Sequence, residues 1–229
     1  MSTLVPANSL KRTLASSARR YHANLMQDPF GPAYSWLTVE RGLSEETLIE
    51  YQIGVVDQDS AEPEHQAMVG YVSMPYITPT SRVDTALNFA DIRFRRGPDV
   101  DEEKPKVRSI TGHRSRLYCT TTLANPGSYV AIAEGEMDTL TLNQCGIPAV
   151  GVAGVSAWNS DYYDRIFSGF EKVIIPADND DDGQGKDFAE RIAKDVPNPK
   201  IILMPEGEDV NSFFVKYGAG ELRDHLGVN

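Results

Sequence analysis

The sequence predicts an α/β protein: a four-stranded parallel sheet with flanking helices in the second half, preceded by a mixed α+β unit. Three observations predict it. After Asn125-Pro126-Gly127, apolar strand-like runs alternate with helical patterns, the rhythm of a parallel sheet with right-handed crossovers. Two of those runs end abruptly in carboxylates, AIAEGEMD at 131–138 and IIPADNDDD at 174–182. The acidic excess is also confined to this half: residues 1–128 carry a net charge of −1, and residues 129–229 carry −10 of the total −11.

The first unit reads as residues 1–127 and the second as 128–229. Leu10, Leu14, Ala18, Tyr21 and Leu25 recur every three or four positions, an amphipathic helix over 10–26. Pro29, Gly31 and Pro32 end it. A second helix covers 33–40 and stops at Arg41-Gly42. Ser44 caps a third, which carries Glu45 and Glu46 in the first turn, where the helix dipole favours them. Short strands follow at 53–56, 68–77 and 86–95, the last two as a hairpin or meander, with a polar loop at 58–66. Another strand is expected around Leu117–Cys119. The second unit then alternates strands at 129–133, 147–152, 171–176 and 200–204 with helices at 136–145, 161–167, 186–195 and 210–217, and a last turn or two at 220–225.

Composition excludes several classes. No apolar run has membrane-spanning length and no signal peptide opens the chain, so no membrane partner is expected and the cytoplasm is the expected compartment. Cys119 and Cys145 form no CxxC pair and the four histidines are scattered, which leaves no zinc site. Both cysteines read as buried thiols. Between Arg93 and Arg116 eight basic residues face four acidic ones, a local basic strip suited to phosphates.

The carboxylates carry the chemistry. In an open parallel sheet, ligands collect at the carboxyl ends of the strands. Glu134 closes one strand, Gly135 turns the chain, and Asp138 lies about one helical turn further on. Asp178 and Asp180 alternate along an extended segment and so project to one side. Asp178, Asp180, Asp181 and Asp182 repel one another unless a cation is present. Oxygen donors without His or Cys favour Mg²⁺ or Mn²⁺. An EF-hand loop fails, because the twelfth position from Asp178 is Ala189. Asp209, after the fourth strand, is a third acidic point, and two ions become plausible.

These residues resemble a known family. The strand ending Glu134-Gly135 with Asp138 four on, then the strand ending Asp178-x-Asp180, is similar to the Toprim domain of topoisomerases, primases and nucleases. EGEMDTLTL, Gly154-Val155-Ser156-Ala157 and PEGEDVNSFF look most like bacterial DnaG-type primases. The family often has Asp where this chain has Asn211, a neutral oxygen ligand. RGLS at 41–44, Pro105-Lys106 and RSRLY at 114–118 are similar to the same family's polymerase core. The resemblance covers roughly residues 15–217. It implies an α/β Toprim domain behind a primase-core subdomain, and a DNA primase that makes short RNA primers on single-stranded DNA from ribonucleoside triphosphates. It implies two Mg²⁺ or Mn²⁺ ions on Glu134, Asp138, Asp178, Asp180 and Asp209. Glu134, Asp178 and Lys106 would be catalytic, and Arg93, Arg95, Lys106, Arg114 and Arg116 would hold phosphates. The zinc-binding and helicase-interacting modules of such primases find no counterpart here, so a compact phage or plasmid core in a host bacterial cytoplasm is expected. Its partners would be a replicative helicase or a separate zinc-binding module. A Toprim nuclease, or a non-catalytic protein that binds single-stranded DNA or a replication partner, is the alternative.

Overall fold

A computed structural model describes residues 6–79, 83–110, 115–124, 127–153, 157–158, 166–179 and 183–228. The chain divides into two compact units, Met1–Arg114 and Ser115–Asn229. The division falls ahead of the boundary expected at residue 127. Ser115–Ala124 goes with the second unit because Tyr118 exchanges backbone hydrogen bonds with Gly151, N to O at 2.8 Å and O to N at 3.1 Å.

In the first unit, helix α1 (Asn8–Gln27) buries Leu14, Ala18, Tyr21 and Leu25, the stripe its period predicts. Helix α2 (Pro32–Ser35) passes into a π-helical turn, Trp36–Glu40, where a single α-helix was expected. Arg41 N donates to Trp36 O at 3.0 Å, five residues back, so one extra residue is held in the turn. Helix α3 (Glu45–Glu50) is capped by Ser44, whose hydroxyl accepts from Thr47 N at 3.2 Å. Strands β1 (Gly54–Val55), β2 (Val72–Ile77), β3 (Phe89–Arg95) and β4 (Val107–Ser109) form an antiparallel sheet in that order. The expected polar loop at 58–66 contains the start of a 3₁₀ helix, Pro63–Met68, which buries His65 against Tyr21 and Phe94.

Two expectations are corrected here. The strand around Leu117–Cys119 does not form. Tyr118 makes an isolated bridge to Gly151, and Cys119 turns away at φ 55°. The sheet gains a fourth strand that was not anticipated, β4, a three-residue edge strand paired with β3.

The second unit is three layers. Strands β5 (Tyr129–Glu134), β6 (Ala149–Val152), β7 (Lys172–Ala177) and β8 (Pro199–Leu203) are parallel, in the order β6-β5-β7-β8. The two central strands, β5 and β7, are apolar almost throughout because both of their faces are covered. Ala131 and Ala133 of β5 pack with helices α4 (Glu136–Gln144) and α6 (Val210–Leu226). Val130 and Ile132 pack on the opposite face with helix α5 (Gln184–Ala193), Trp158 and Phe167. Each fully buried Val, Ile or Phe side chain there is worth about 1.5–3 kcal/mol. Helix α6 is broken at Gly218, as the two separate helical stretches in the sequence anticipate. Most of the helix expected at 161–167 lies outside the described residues. Among the described residues no helix is long and apolar enough to cross a membrane.

Candidate functional site

The strand order creates the site. From β5 the chain crosses by α4 to β6 on one side, and later returns to β7 on the other side of β5. The crossover direction therefore reverses between β5 and β7, and a crevice opens at their carboxyl ends. The pairing of β5 with β7 runs only to Ala131 and Ile174. Pro176, which has no N–H to donate, sits past the end of that ladder. Glu134 is the last residue of β5, and Asp178 directly follows β7. Both are half-buried.

Gly135 makes the turn at φ 103°, a conformation that favours glycine, and starts α4. Asp138 is in the first turn and only 7% exposed. Its Oδ1 accepts from Asn211 N at 3.1 Å. Its Oδ2 is on the Gly135 side, 3.9 Å from where a Cβ on that glycine would be. The segment after β8 is tied to the segment after β7: Gly207 N donates to Asn179 O at 2.8 Å, and Met204 N to Ala177 O at 2.9 Å. Hydrogen bonds thus join the three acidic segments, which lie far apart in sequence, around one sheet edge.

The structure gives the third segment a structural task. Asp209 is the N-cap of α6, its Oδ1 accepting from Ser212 N at 2.6 Å while Ser212 Oγ accepts from Asp209 N at 2.9 Å. Asp209→Ala is expected to cost about 1 kcal/mol in chemical denaturation, and Asp209→Ser to recover most of it. A ligand role alone would leave metal-free stability unchanged in both. Hydrogen bonds from Ser212 and then Lys216 hold the half-buried Glu208 carboxyl below the ordinary glutamate value. Asp180, Asp181 and Asp182 lie outside the described residues. Among the described residues no three carboxylates, histidines or cysteines converge as a ready cage. The donors present are oxygen donors, and that chemistry fits a hard divalent cation rather than zinc.

The basic strip divides between the units. Arg93 and Arg95 alternate on β3, with Arg93 opposite Ser109 and Arg95 opposite Val107, and Lys106 is exposed just before β4. Arg116 is half-buried in the second unit, and Arg114 lies outside the described residues. A pocket of about 170 Å³ in the first unit brings together Trp36, Arg41, Arg95, Arg96 and Lys106, with Glu102 as its one carboxylate. The π-turn sets the Arg41 guanidinium 5.1 Å from the Trp36 ring centre. Arg96 holds the loop below by donating to the carbonyls of Glu102 and Lys104. Trp36 and Arg41 were not among the expected site residues. Trp36 reads from sequence as core, and only the RGLS wording marked Arg41. Glu136, buried at the start of α4, was also not foreseen. Cys145 is a buried thiol that burial pushes up to about 11, which keeps it neutral and unreactive.

A parallel sheet with acidic strand ends at its switch point, in a chain that also carries an antiparallel unit with a cationic pocket, defines a Toprim-type α/β protein. The Toprim-like family matches residues 131–214. Gene 57 protein of Mycobacterium phage D29 is 42% identical over 137 residues, 60% of this chain and 86% of that one. The DNA primase of Pasteurella multocida is 24% identical over 228 residues, 85% of this chain and 39% of that one. The RNA polymerase domain of Mycobacterium tuberculosis primase DnaG superposes with a TM-score of 0.74 at 17% identity, over 96% of this chain and 84% of that one. The chain carries a Toprim-like domain and resembles DnaG-type primases in sequence and in fold. It spans about two fifths of the length of the bacterial primase it matches.

Proposed function

We propose that the chain is the catalytic core of a DNA primase, which joins ribonucleotides into short primers on a single-stranded DNA template. The observation that carries this reading is the pair Glu134 and Asp178, placed on either side of the crevice between β5 and β7. Glu134, Asp138, Asp178 and Asp180, with Asp209 at the rim, would hold one or two Mg²⁺ or Mn²⁺ ions. Such ions, when bound, polarise phosphoryl oxygens, ease deprotonation of a hydroxyl nucleophile and neutralise a pyrophosphate leaving group. Glu134 would also accept the proton of a primer 3′-hydroxyl.

Lys106, Arg93, Arg95, Arg114 and Arg116 would hold triphosphate or template phosphates through charge-assisted hydrogen bonds. The pocket of Arg41, Arg95, Arg96 and Lys106 has the charge and size for one phosphate group, with Trp36 keeping Arg41 in place. A replicative helicase and a zinc-binding or helicase-interacting module would be its partners in replication.

The test is Mg²⁺- or Mn²⁺-dependent incorporation of labelled ribonucleotides on a single-stranded template, with Asp178→Ala beside the wild type. Template-dependent products that vanish in the variant are expected. Unchanged incorporation in the variant sinks the assignment, and cleavage of the template without any nucleotide requirement points to a Toprim nuclease.

A further inference from the structure

Asn211 stands where the family often carries aspartate, and its surroundings explain why an amide is there. Its side chain is 1% exposed, and Nδ2 donates to Thr141 Oγ1 at 2.9 Å. Thr141 is itself fully buried on α4 and gives its hydroxyl proton to Met137 O, one turn back, at 2.9 Å. A hydroxyl has one proton to donate. With that proton committed, Thr141 presents only lone pairs to Asn211. The partner at 211 must therefore be a donor, which an amide is and an ionised carboxylate is not. A carboxylate there would face those lone pairs and would put a second negative charge beside Asp138 in a dry setting.

The backbone of the same residue completes the device. Asn211 N, in the first turn of α6, donates to Asp138 Oδ1, which leaves Oδ2 on the side of the Gly135 turn. The side chain of Asn211 anchors α6 on α4, and its N–H then sets the orientation of a carboxylate on that same helix, three residues before Thr141.

Resting on the metal-site reading above, we propose that Asn211 is a positioning residue for Asp138 and not itself a ligand of the divalent ion. Partners that orient a ligand carboxylate in this way are typically worth roughly ten- to a hundredfold in metal affinity.

Mn²⁺ uptake, followed by the loss of the free-ion signal in electron paramagnetic resonance, tests this without any turnover. Thr141→Val, Asn211→Ala, their double variant and Asn211→Asp are compared with the wild type, each checked for folding by circular dichroism. Thr141→Val keeps the shape of the buried side chain, so it serves if Asn211→Ala fails to fold. Thr141→Val and Asn211→Ala are each expected to weaken Mn²⁺ binding about tenfold, the double variant no further, and Asn211→Asp to weaken it despite its added charge. Wild-type affinity in Thr141→Val, or tighter binding in Asn211→Asp, overturns the proposal and makes Asn211 a bystander or a ligand. Absence of Mn²⁺ uptake by the wild-type protein overturns the metal-site reading, and this inference with it.

Discussion

Glu134→Gln is expected to lower template-directed ribonucleotide incorporation about a thousandfold while leaving the metal-free thermal midpoint at or above that of the wild type. Gln keeps the length of the side chain and an acceptor oxygen, so the end of β5 and the Gly135 turn have no reason to rearrange. What it removes is one negative charge at the mouth of the crevice. An electrostatic contribution of several kcal/mol at a reacting centre is typical, and about 4 kcal/mol corresponds to roughly a thousandfold in rate. Removing a charge from an acidic edge relieves repulsion in the absence of cation, so the direction of the stability change separates this from a folding defect. Calorimetry of metal-free protein and single-turnover incorporation together give both numbers. A variant that loses activity and stability in parallel would make Glu134 a structural residue, and one that keeps incorporation within tenfold would remove it from the catalytic set.

Parts of this site could be read from the chain and parts could not, for physical reasons. The parallel sheet was legible because β5 and β7 are covered on both faces, so their composition is almost wholly apolar and ends sharply at Glu134 and at Asp178. The switch point was not, since strand order depends on which side of β5 each crossover lands. The strand β4 carries the residues Val107, Arg108 and Ser109, an exposed edge whose formation is dictated by β3 rather than by its own pattern. Leu117–Cys119 looked more like a strand and is not one, because the bridge from Tyr118 to Gly151 is isolated and the chain turns at Cys119. The π-turn that joins Trp36 to Arg41 adds one residue to a helix that any periodicity would pass as regular.

The third acidic segment shows the limit most clearly. Asp209 followed three residues later by Ser212 is legible as a helix cap, yet it reads equally as a ligand when two other acidic strand ends are in view. Asn211 reads as a weakened ligand in isolation. Its role depends on Thr141, seventy positions away, and on which way that hydroxyl points. Local sequence holds neither fact.

Gly185→Ala is the other change with a large expected effect, and it joins stability to the site. Gly185 is buried in the first turn of α5, and a Cβ there would lie 2.4 Å from Asp178 O, 2.8 Å from Asp178 N and 2.8 Å from Asp178 Cβ. Two of these are backbone atoms of a strand end, which cannot swing aside as a side chain can. Either the start of α5 lifts from the sheet, where Phe188, Ala189 and Ile192 belong to the core, or Asp178 shifts. Overpacking of this kind costs about 1–3 kcal/mol, and a misplacement of about 1 Å at a reacting group costs roughly a hundredfold in rate. Both losses are expected together, in urea denaturation and in incorporation. Gly183→Ala is the control. Gly183 is also a glycine at the start of α5, at φ 72°, and nothing lies within 4 Å of its Cβ position. It should lose about 1 kcal/mol from its left-handed backbone and leave Asp178 where it is. If the two variants lose activity equally, contact between α5 and Asp178 is not what fixes the carboxylate. If only Gly185→Ala does, the close approach of helix to strand end is the feature that aims Asp178 at the crevice.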